Sequence, residues 1–194
     1  MFNPKPVTLI TDKVTLRPLT IEDVDAFYQA GAFPELWQWS LPNQCISKEQ
    51  CHAWLIYSQE RVTQGQQVVF AIIDNQTGAL VGSTRYCAIN REDRSLEIGF
   101  TFITPKFQRT YVNTHAKYCL LKHAFEMLNA IRVQFKTHEK NLASRQAIGR
   151  IGASFEGILR NQKILPDGSF RNSAFFSVIS SEWPDVKHSL SLKL

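Results

Sequence analysis

One stretch of this sequence, residues 94–129, constrains the fold most, because it joins a strand to a long helix through a polar, basic loop. Residues 96–103 have the composition of a strand, and Pro105 ends it because proline has no ladder donor. Residues 107–114 then open a helix whose apolar residues recur at helical spacing as far as Leu128. Helix-start amides lack intrahelical partners, and the helix dipole favours an anion there. The stretch therefore predicts a binding site for an anionic cofactor.

Length and composition indicate one globular domain. The 194 residues are enough for one well-buried domain, and we expect residues 1–194 to form it. Hydrophobic residues at 44% and charged residues at 20% argue against a disordered or membrane class. No apolar run approaches the roughly 20 residues of a transmembrane helix, and the N-terminus lacks the apolar core of a signal peptide. We expect a cytoplasmic protein without a membrane partner.

The net charge and the reactive side chains exclude several classes of site. A formal charge of +5 favours phosphate-bearing ligands or nucleic acid without separating the two. A dedicated nucleic-acid module is not expected, because no basic run with interleaved aromatic residues occurs. The five histidines show no ligand spacing, so no metal site is predicted. No close CxxC pair occurs, and we expect four free thiols at Cys45, Cys51, Cys87 and Cys119.

The rest of the chain alternates strand and helix patterns. Strands are predicted at 14–17, 68–74, 80–87, 95–103, 132–137, 154–165 and 170–179. Helices are predicted at 20–30, at 47–65, from the 107–114 loop to about 128, at 141–152 and from about 181. Three consecutive strands form a meander, and the strand after the long helix implies a parallel pair. We expect an α/β (α+β) fold with a mixed, mostly antiparallel sheet of about six to seven strands flanked by helices.

The connection from 33 to 43 is rich in aromatic residues. Phe33, Trp37 and Trp39 lie within a few residues of one another. Two interpretations stand side by side: these rings wall a substrate pocket, or they cover an edge of the core.

Several short motifs in this order carry a family resemblance. They are Leu16-Arg17-Pro18-Leu19 with Glu22-Asp23, Glu97-Ile98-Gly99-Phe100, Phe107-Gln108 with Asn113-Thr114 and Ala116, the set Asn141, Ser144, Arg145, Ile148, Gly152 and Ala153, and Glu156-Gly157 with Arg160. The chain resembles the GNAT superfamily of acetyl-CoA-dependent N-acetyltransferases over nearly all of residues 13–185. It looks closest to the branch containing the ribosomal-protein N-terminal acetyltransferases.

The resemblance implies an enzyme that uses acetyl-CoA as co-substrate without a metal. The acceptor would be a primary amine on a protein N-terminus, a lysine or a small molecule, attacking directly in a ternary complex. The implied cofactor contacts are Phe102, Ile103, Gln108, Arg109, Thr110, Tyr111, Val112, Asn113, Thr114, Asn141, Ser144 and Arg145.

The resemblance also implies catalytic roles. Glu97 is the candidate base, and strand alternation sets it on the face opposite to Ile98 and Phe100, which we expect in the core. Ser144 would lie near the sulfur, and a backbone amide at about Ile103 would stabilise the oxyanion. The alternatives are a salt-bridged Glu97 and a Ser144 that only bonds the helix start. A plain N-cap would likewise account for Asn141.

One departure from the family pattern concerns Tyr111, which stands where the family's loop has its first glycine. Glycine there lets backbone amides approach phosphate closely, so Tyr111 is expected to narrow, shift or weaken the pyrophosphate site. It favours an alternative, a catalytically weak or inactive module of the same fold that binds acyl-CoA or a partner. A basic RNA-associated protein is a third possibility. The acceptor stays open, as does the choice between monomer and homodimer.

Overall fold

A computed structural model describes residues 2–39, 42–165 and 167–194. The strands are β1 Leu9–Ile10, β2 Val14–Pro18, β3 Val68–Asp74, β4 Leu80–Asn90, β5 Ser95–Ile103, β6 Arg132–His138, β7 Ser154–Ile164 and β8 Phe170–Ile179. The α-helices are α1 Val24–Gly31, α2 Lys48–Thr63, α3 Tyr111–Lys122, α4 Leu142–Arg150 and α5 Trp183–Ser191. A π turn, His123–Met127, extends α3. Pro166, in the predicted turn at 166–168, lies outside the described residues.

The strands form one sheet in the order β1-β2-β3-β4-β5-β6-β8-β7. Neighbours pair antiparallel except β5 and β6, which are parallel. The predicted mixed, mostly antiparallel sheet is thus confirmed, as is the parallel pair around the long helix. The predicted number of strands is too low, because the described residues form eight. The additional strand, β1, has two residues, too few for an alternating pattern to show.

Helices cover both faces of the sheet, and β3 shows why. Val68, Phe70 and Ile72 belong to the core cluster that includes α3 and α5. Val69 and Ala71 belong to a second cluster, which includes α1 and α2. Buried on both sides, β3 is a nearly continuous apolar run rather than an alternating one.

Local signals in the sequence mark the helix starts correctly. Ser47 Oγ accepts a hydrogen bond from the amide of Gln50 at 3.2 Å, and α2 begins at the next residue. Before α1, the amide of Thr20 donates to Asp23 Oδ2 at 2.9 Å in a short 3-10 turn. Across the described ranges, no helix is long and apolar enough to cross a membrane.

Candidate active site

A wedge-shaped cleft opens where β5 and β6 separate. The two strands pair from Ser95↔Arg132 to Glu97↔Gln134. Beyond that point β5 continues to Ile103 and β6 to His138, and no further pairing between them occurs in the described chain. Parallel strands have their carboxyl ends at the same edge of a sheet, so α3 and α4, which follow β5 and β6, begin at the open end of this β5–β6 cleft.

The end of β5 turns a backbone amide toward the cleft. Thr104 N donates to Val81 O of β4 at 2.8 Å. Peptide groups of successive residues alternate across a strand, so the N–H and C=O of Ile103 point away from β4, toward the side where β6 has separated. Gln108 Nε2 donates to Ile103 O at 3.0 Å and ties the following loop to the strand end.

Phe102 contributes a backbone rather than a side chain to this edge. Its ring lies 5.4 Å from the ring of Phe27 and 5.2 Å from that of Trp37, within the core beneath α1. A cofactor in the cleft would therefore meet the main chain of Phe102, since its side chain is buried elsewhere.

The loop before α3 has the geometry of an anion site. Thr110 caps the helix: its hydroxyl accepts from Val112 N at 3.4 Å and donates to Phe107 O at 2.7 Å. Arg109 is exposed with a φ of 61°. Asn113 and Thr114 lie half-buried in the first turn, whereas Val112 points into the core. The twelve-residue helix presents its first amides and its positive dipole end here.

Tyr111 is accommodated without the flexibility of glycine. It is the first residue of α3 and does not have a positive φ. Its hydroxyl donates to Asp74 Oδ1 at 2.6 Å and lies 3.2 Å from Gln76 Oε1, so the phenol is anchored on the β3–β4 turn. The hydrogen bond to Asp74 raises the pKa of Tyr111. Its side chain is therefore held by a different part of the sheet from the cleft.

The residues predicted at the start of α4 mostly hold their own turn together. Asn141 Oδ1 accepts from Ser144 N at 3.0 Å, so Asn141 is the N-cap. Arg145 Nη1 donates to Glu139 O at 3.0 Å, and its guanidinium stacks 5.3 Å from the ring centroid of Phe155. Ser144 is half-buried. Within the described ranges, no hydrogen bond joins it to Glu97.

Glu97 lies where the cleft begins. It is only 2% exposed, with Oε2 accepting from Gln134 Nε2 at 3.2 Å and lying 3.1 Å from Lys136 Nζ. The salt-bridged alternative raised from the sequence is therefore present. Leu96 and Ile98 belong to the core cluster of α3, on the opposite face from Glu97.

The expected core position of Phe100 is wrong. Phe100 is 43% exposed, with a φ of 51°. The β4–β5 register shifts between the pairs Arg85↔Gly99 and Ser83↔Phe102, and this irregularity breaks the alternation. The bulge turns the ring toward the face that carries Glu97, where Arg85 Cζ lies 3.8 Å from its centroid.

Four cations near Glu97 were missed by sequence reasoning. Together with Glu97 they form what we call the charged cluster: Arg85 on β4, Lys136 on β6, Lys163 on β7 and Arg171 on β8. Burial lowers the pKa of Arg85 to about 10, and the Glu97 carboxylate opposes that effect. Burial likewise lowers the pKa of Lys163 and of Arg171, again opposed by Glu97. The polar alternation of β6 could have revealed Lys136, but the approach of β7 and β8 depends on the order of the sheet.

A pocket beside the charged cluster is lined by the aromatic loop and by the end of β5. Its lining consists of Leu36, Trp37, Pro42, Gln44 and residues 100–102. Trp37 is buried and donates from Nε1 to Gly31 O at 2.8 Å, so it both covers the core and borders the pocket. Trp39 lies 4.7 Å from the His138 ring, and its carbonyl accepts from Arg171 Nη1 at 3.2 Å.

Comparison with known proteins gives consistent matches. Residues 13–154 match the family model described as an acetyltransferase (GNAT) domain. The chain is 24% identical to the uncharacterised N-acetyltransferase p20 of Bacillus licheniformis over 176 residues, covering 91% of this chain and 98% of that protein. It is 33% identical to an assigned acetyltransferase of T. thermophilus, with a TM-score of 0.87 and 98% of each chain covered. Mycobacterium smegmatis RimJ, solved in complex with CoA-disulfide, shares the fold at 20% identity, with a TM-score of 0.84 over 97% of this chain and 95% of that one.

Proposed function

The chain belongs to the GNAT acetyltransferase family, and we propose that it transfers an acetyl group from acetyl-CoA to a primary amine by direct attack in a ternary complex. The acceptor is a protein N-terminus, a lysine or a small amine. We take residues 1–194 as one domain devoted to this reaction, since the strands of a single sheet run from Leu9 to Ile179.

One observation carries the proposal: the β5–β6 cleft begins at a buried carboxylate and opens toward two helix starts. Glu97 lies at the last paired position of the two strands. Beyond it the amide of Ile103 turns away from β4, and α3 and α4 begin at the open end. A long, anionic, flexible co-substrate can thus bind its phosphates at one end and present its reactive group at the other.

The residues at the start of α3 fit a pyrophosphate. The first amides of the helix, with the exposed Arg109 and the Thr110 cap, would hold it. The phenol of Tyr111 is held by Asp74 and leaves this turn in ordinary helical conformation. Bound there, acetyl-CoA would supply an activated acyl group as a thioester.

The protein's own groups would then manage a proton and a developing charge. The neutral amine attacks the thioester carbonyl carbon, the carbon–sulfur bond breaks, and CoA leaves as a thiolate that takes up a proton. Glu97, directly or through water, accepts the proton that the amine loses. The amide of Ile103 donates to the carbonyl oxygen as it gains negative charge. Gln134 and Lys136 fix the orientation of the Glu97 carboxylate.

The experiment combines binding and turnover. Acetyl-CoA is titrated into the protein by calorimetry, and thiol release is then followed with a panel of amines and peptides, with product masses checked for one added acetyl group. Glu97→Gln should keep acetyl-CoA affinity and lower turnover by about a hundredfold, the usual range for a general base. Glu92→Gln, an exposed carboxylate in the β4–β5 turn, is the matched control.

A second candidate function is favoured by the ion pair of Glu97 with Lys136, because a carboxylate held this way can serve structure alone. The protein would then be an acyl-CoA-binding or interaction module without transferase activity. Acetyl-CoA binding without thiol release across the whole panel would support this second function. Failure to bind acetyl-CoA at millimolar concentration would exclude both.

A further inference from the structure

The charged cluster holds more positive than negative charge. Glu97 pairs with Lys136, whose side chain is 18% exposed. Within residues 2–39, 42–165 and 167–194, neither Lys163, Arg171 nor Arg85 forms an ion pair. Three cations thus lie at the closed end of the cleft without a compensating carboxylate. An uncompensated positive field in a partly desolvated site attracts an anion.

Arg171 has bonding capacity that the described residues do not use. The residue is 9% exposed, and one terminal nitrogen donates to Trp39 O at 3.2 Å. Its Nε is buried without a hydrogen-bond partner among the described residues. A buried donor left unpaired costs free energy. The planar guanidinium fork matches the oxygen spacing of a carboxylate or a phosphate.

Lys163 adds a second cation beside Arg171. The two residues face each other in the β7–β8 ladder, so like charges lie on adjacent strands. Burial lowers the pKa of Lys163, and repulsion from Lys136 and Arg171 lowers it further. An anion between Lys163 and Arg171 would relieve this repulsion and give both groups a partner.

Phe100 connects these cations with the pocket at the end of β5. Its ring lines that pocket, and Lys163 Nζ lies 5.7 Å from the ring centroid. Trp39, whose carbonyl accepts from Arg171, belongs to the same aromatic loop that provides Trp37 and Leu36 to the pocket wall. The unpaired cations therefore border the space through which an acceptor would reach Glu97.

We propose that the acceptor amine carries an anionic group of its own, a carboxylate or a phosphate, which Arg171 and Lys163 bind while the amine faces Glu97. The inference rests on the proposed acetyl transfer and narrows the class of acceptor. Amino acids with a free carboxylate and aminoalkyl phosphates belong to this class. Polycationic amines are disfavoured, since the site already holds an excess of positive charge.

Matched acceptors that differ only in the anion test this inference. We would compare O-phosphoethanolamine with ethanolamine, and alanine with alaninamide, by thiol release at saturating acetyl-CoA. The kcat/KM of the anionic partner should exceed that of its neutral partner by at least about tenfold in one pair, the effect of one good charge-assisted hydrogen bond. The pair that responds identifies phosphate or carboxylate.

Variants connect the preference to the cluster. Lys163→Gln should lower the anionic-to-neutral ratio by about tenfold, and Lys163→Arg, which keeps the charge, should largely retain it. Lys5→Gln, an equal charge change in the exposed segment before β1, should leave the ratio unchanged. Circular dichroism and thermal unfolding establish that each variant is folded.

The inference and the proposed function fail differently. Equal turnover of anionic and neutral partners would overturn the inference and leave acetyl transfer standing. Loss of acetyl-CoA binding would overturn the proposed function. In that case calorimetric titration of O-phosphoethanolamine against ethanolamine still decides whether the cluster binds an anion: about tenfold tighter binding, lost in Lys163→Gln, supports it, and no difference refutes it.

Discussion

A buried lysine beneath the β5 bulge provides a quantitative test of the fold. Lys117 on α3 is 6% exposed, and its Nζ donates to Thr101 Oγ1 at 2.6 Å and lies 3.5 Å from Thr84 Oγ1. Within the described residues it forms no ion pair. Burial lowers its pKa from 10.5 to about 7. We predict that Lys117→Met stabilises the protein at neutral pH, because the apolar chain fills the same space without a charge to desolvate.

The magnitude follows from proton linkage. One pKa unit corresponds to about 1.4 kcal/mol, so keeping the Lys117 amine neutral costs the folded state on the order of 4 kcal/mol at pH 7. Between pH 7 and 10.5 the unfolded chain binds a proton that the folded protein lacks, so stability rises with pH across that window. Below pH 7 both states bind the proton, and the cost no longer changes. Because methionine loses the hydrogen bond to Thr101, we expect a net gain of about 2 to 4 kcal/mol at pH 7.

Urea unfolding, followed by tryptophan fluorescence from pH 7 to 9.5, measures this difference. The advantage of Lys117→Met over the wild type should shrink steadily as the pH rises, by up to about 1.4 kcal/mol for each pH unit. Lys122→Met, an exposed lysine on the same helix, should show no such trend. An advantage that does not change with pH, or a loss of stability at pH 7, would refute the reasoning.

Three further substitutions test the residues around the cofactor site. Tyr111→Phe removes the hydrogen bond to Asp74 and should lower the free energy of unfolding by about 1 kcal/mol, while calorimetry should find acetyl-CoA affinity unchanged; markedly weaker binding would mean that the phenol reaches the cofactor. Arg109→Gly relieves a left-handed backbone and should raise the free energy of unfolding by about 1 kcal/mol, yet weaken acetyl-CoA binding; tighter binding would contradict the anion site. Asn141→Ala removes the N-cap of α4 and should cost about 1 kcal/mol of stability in thermal unfolding; an unchanged melting temperature would contradict the capping geometry.

Much of the fold was predictable because its signals are local. β3 occupies the predicted residues 68–74, and β5 ends at Ile103 just before Pro105. Asn141 is the N-cap its residue type indicated. Alternation, proline and capping residues act over a few positions, so one sequence suffices to place such elements.

The candidate site was less predictable because it depends on distant strands and on one irregularity. Phe100 turns outward through a positive φ that alternation cannot reveal. Lys163 and Arg171 reach the neighbourhood of Glu97 only because β7 and β8 follow β6 in the sheet. Tyr111 replaces the expected glycine without a positive φ, since its partner Asp74 belongs to the β3–β4 hairpin, far away in sequence.

A crystal structure of the protein with bound CoA tests the central claim most directly. We predict the pyrophosphate on the first amides of α3, the pantetheine arm between β5 and β6, and the sulfur near the amide of Ile103 and the carboxylate of Glu97. CoA bound outside the β5–β6 cleft, or with its sulfur remote from Glu97, would contradict the account.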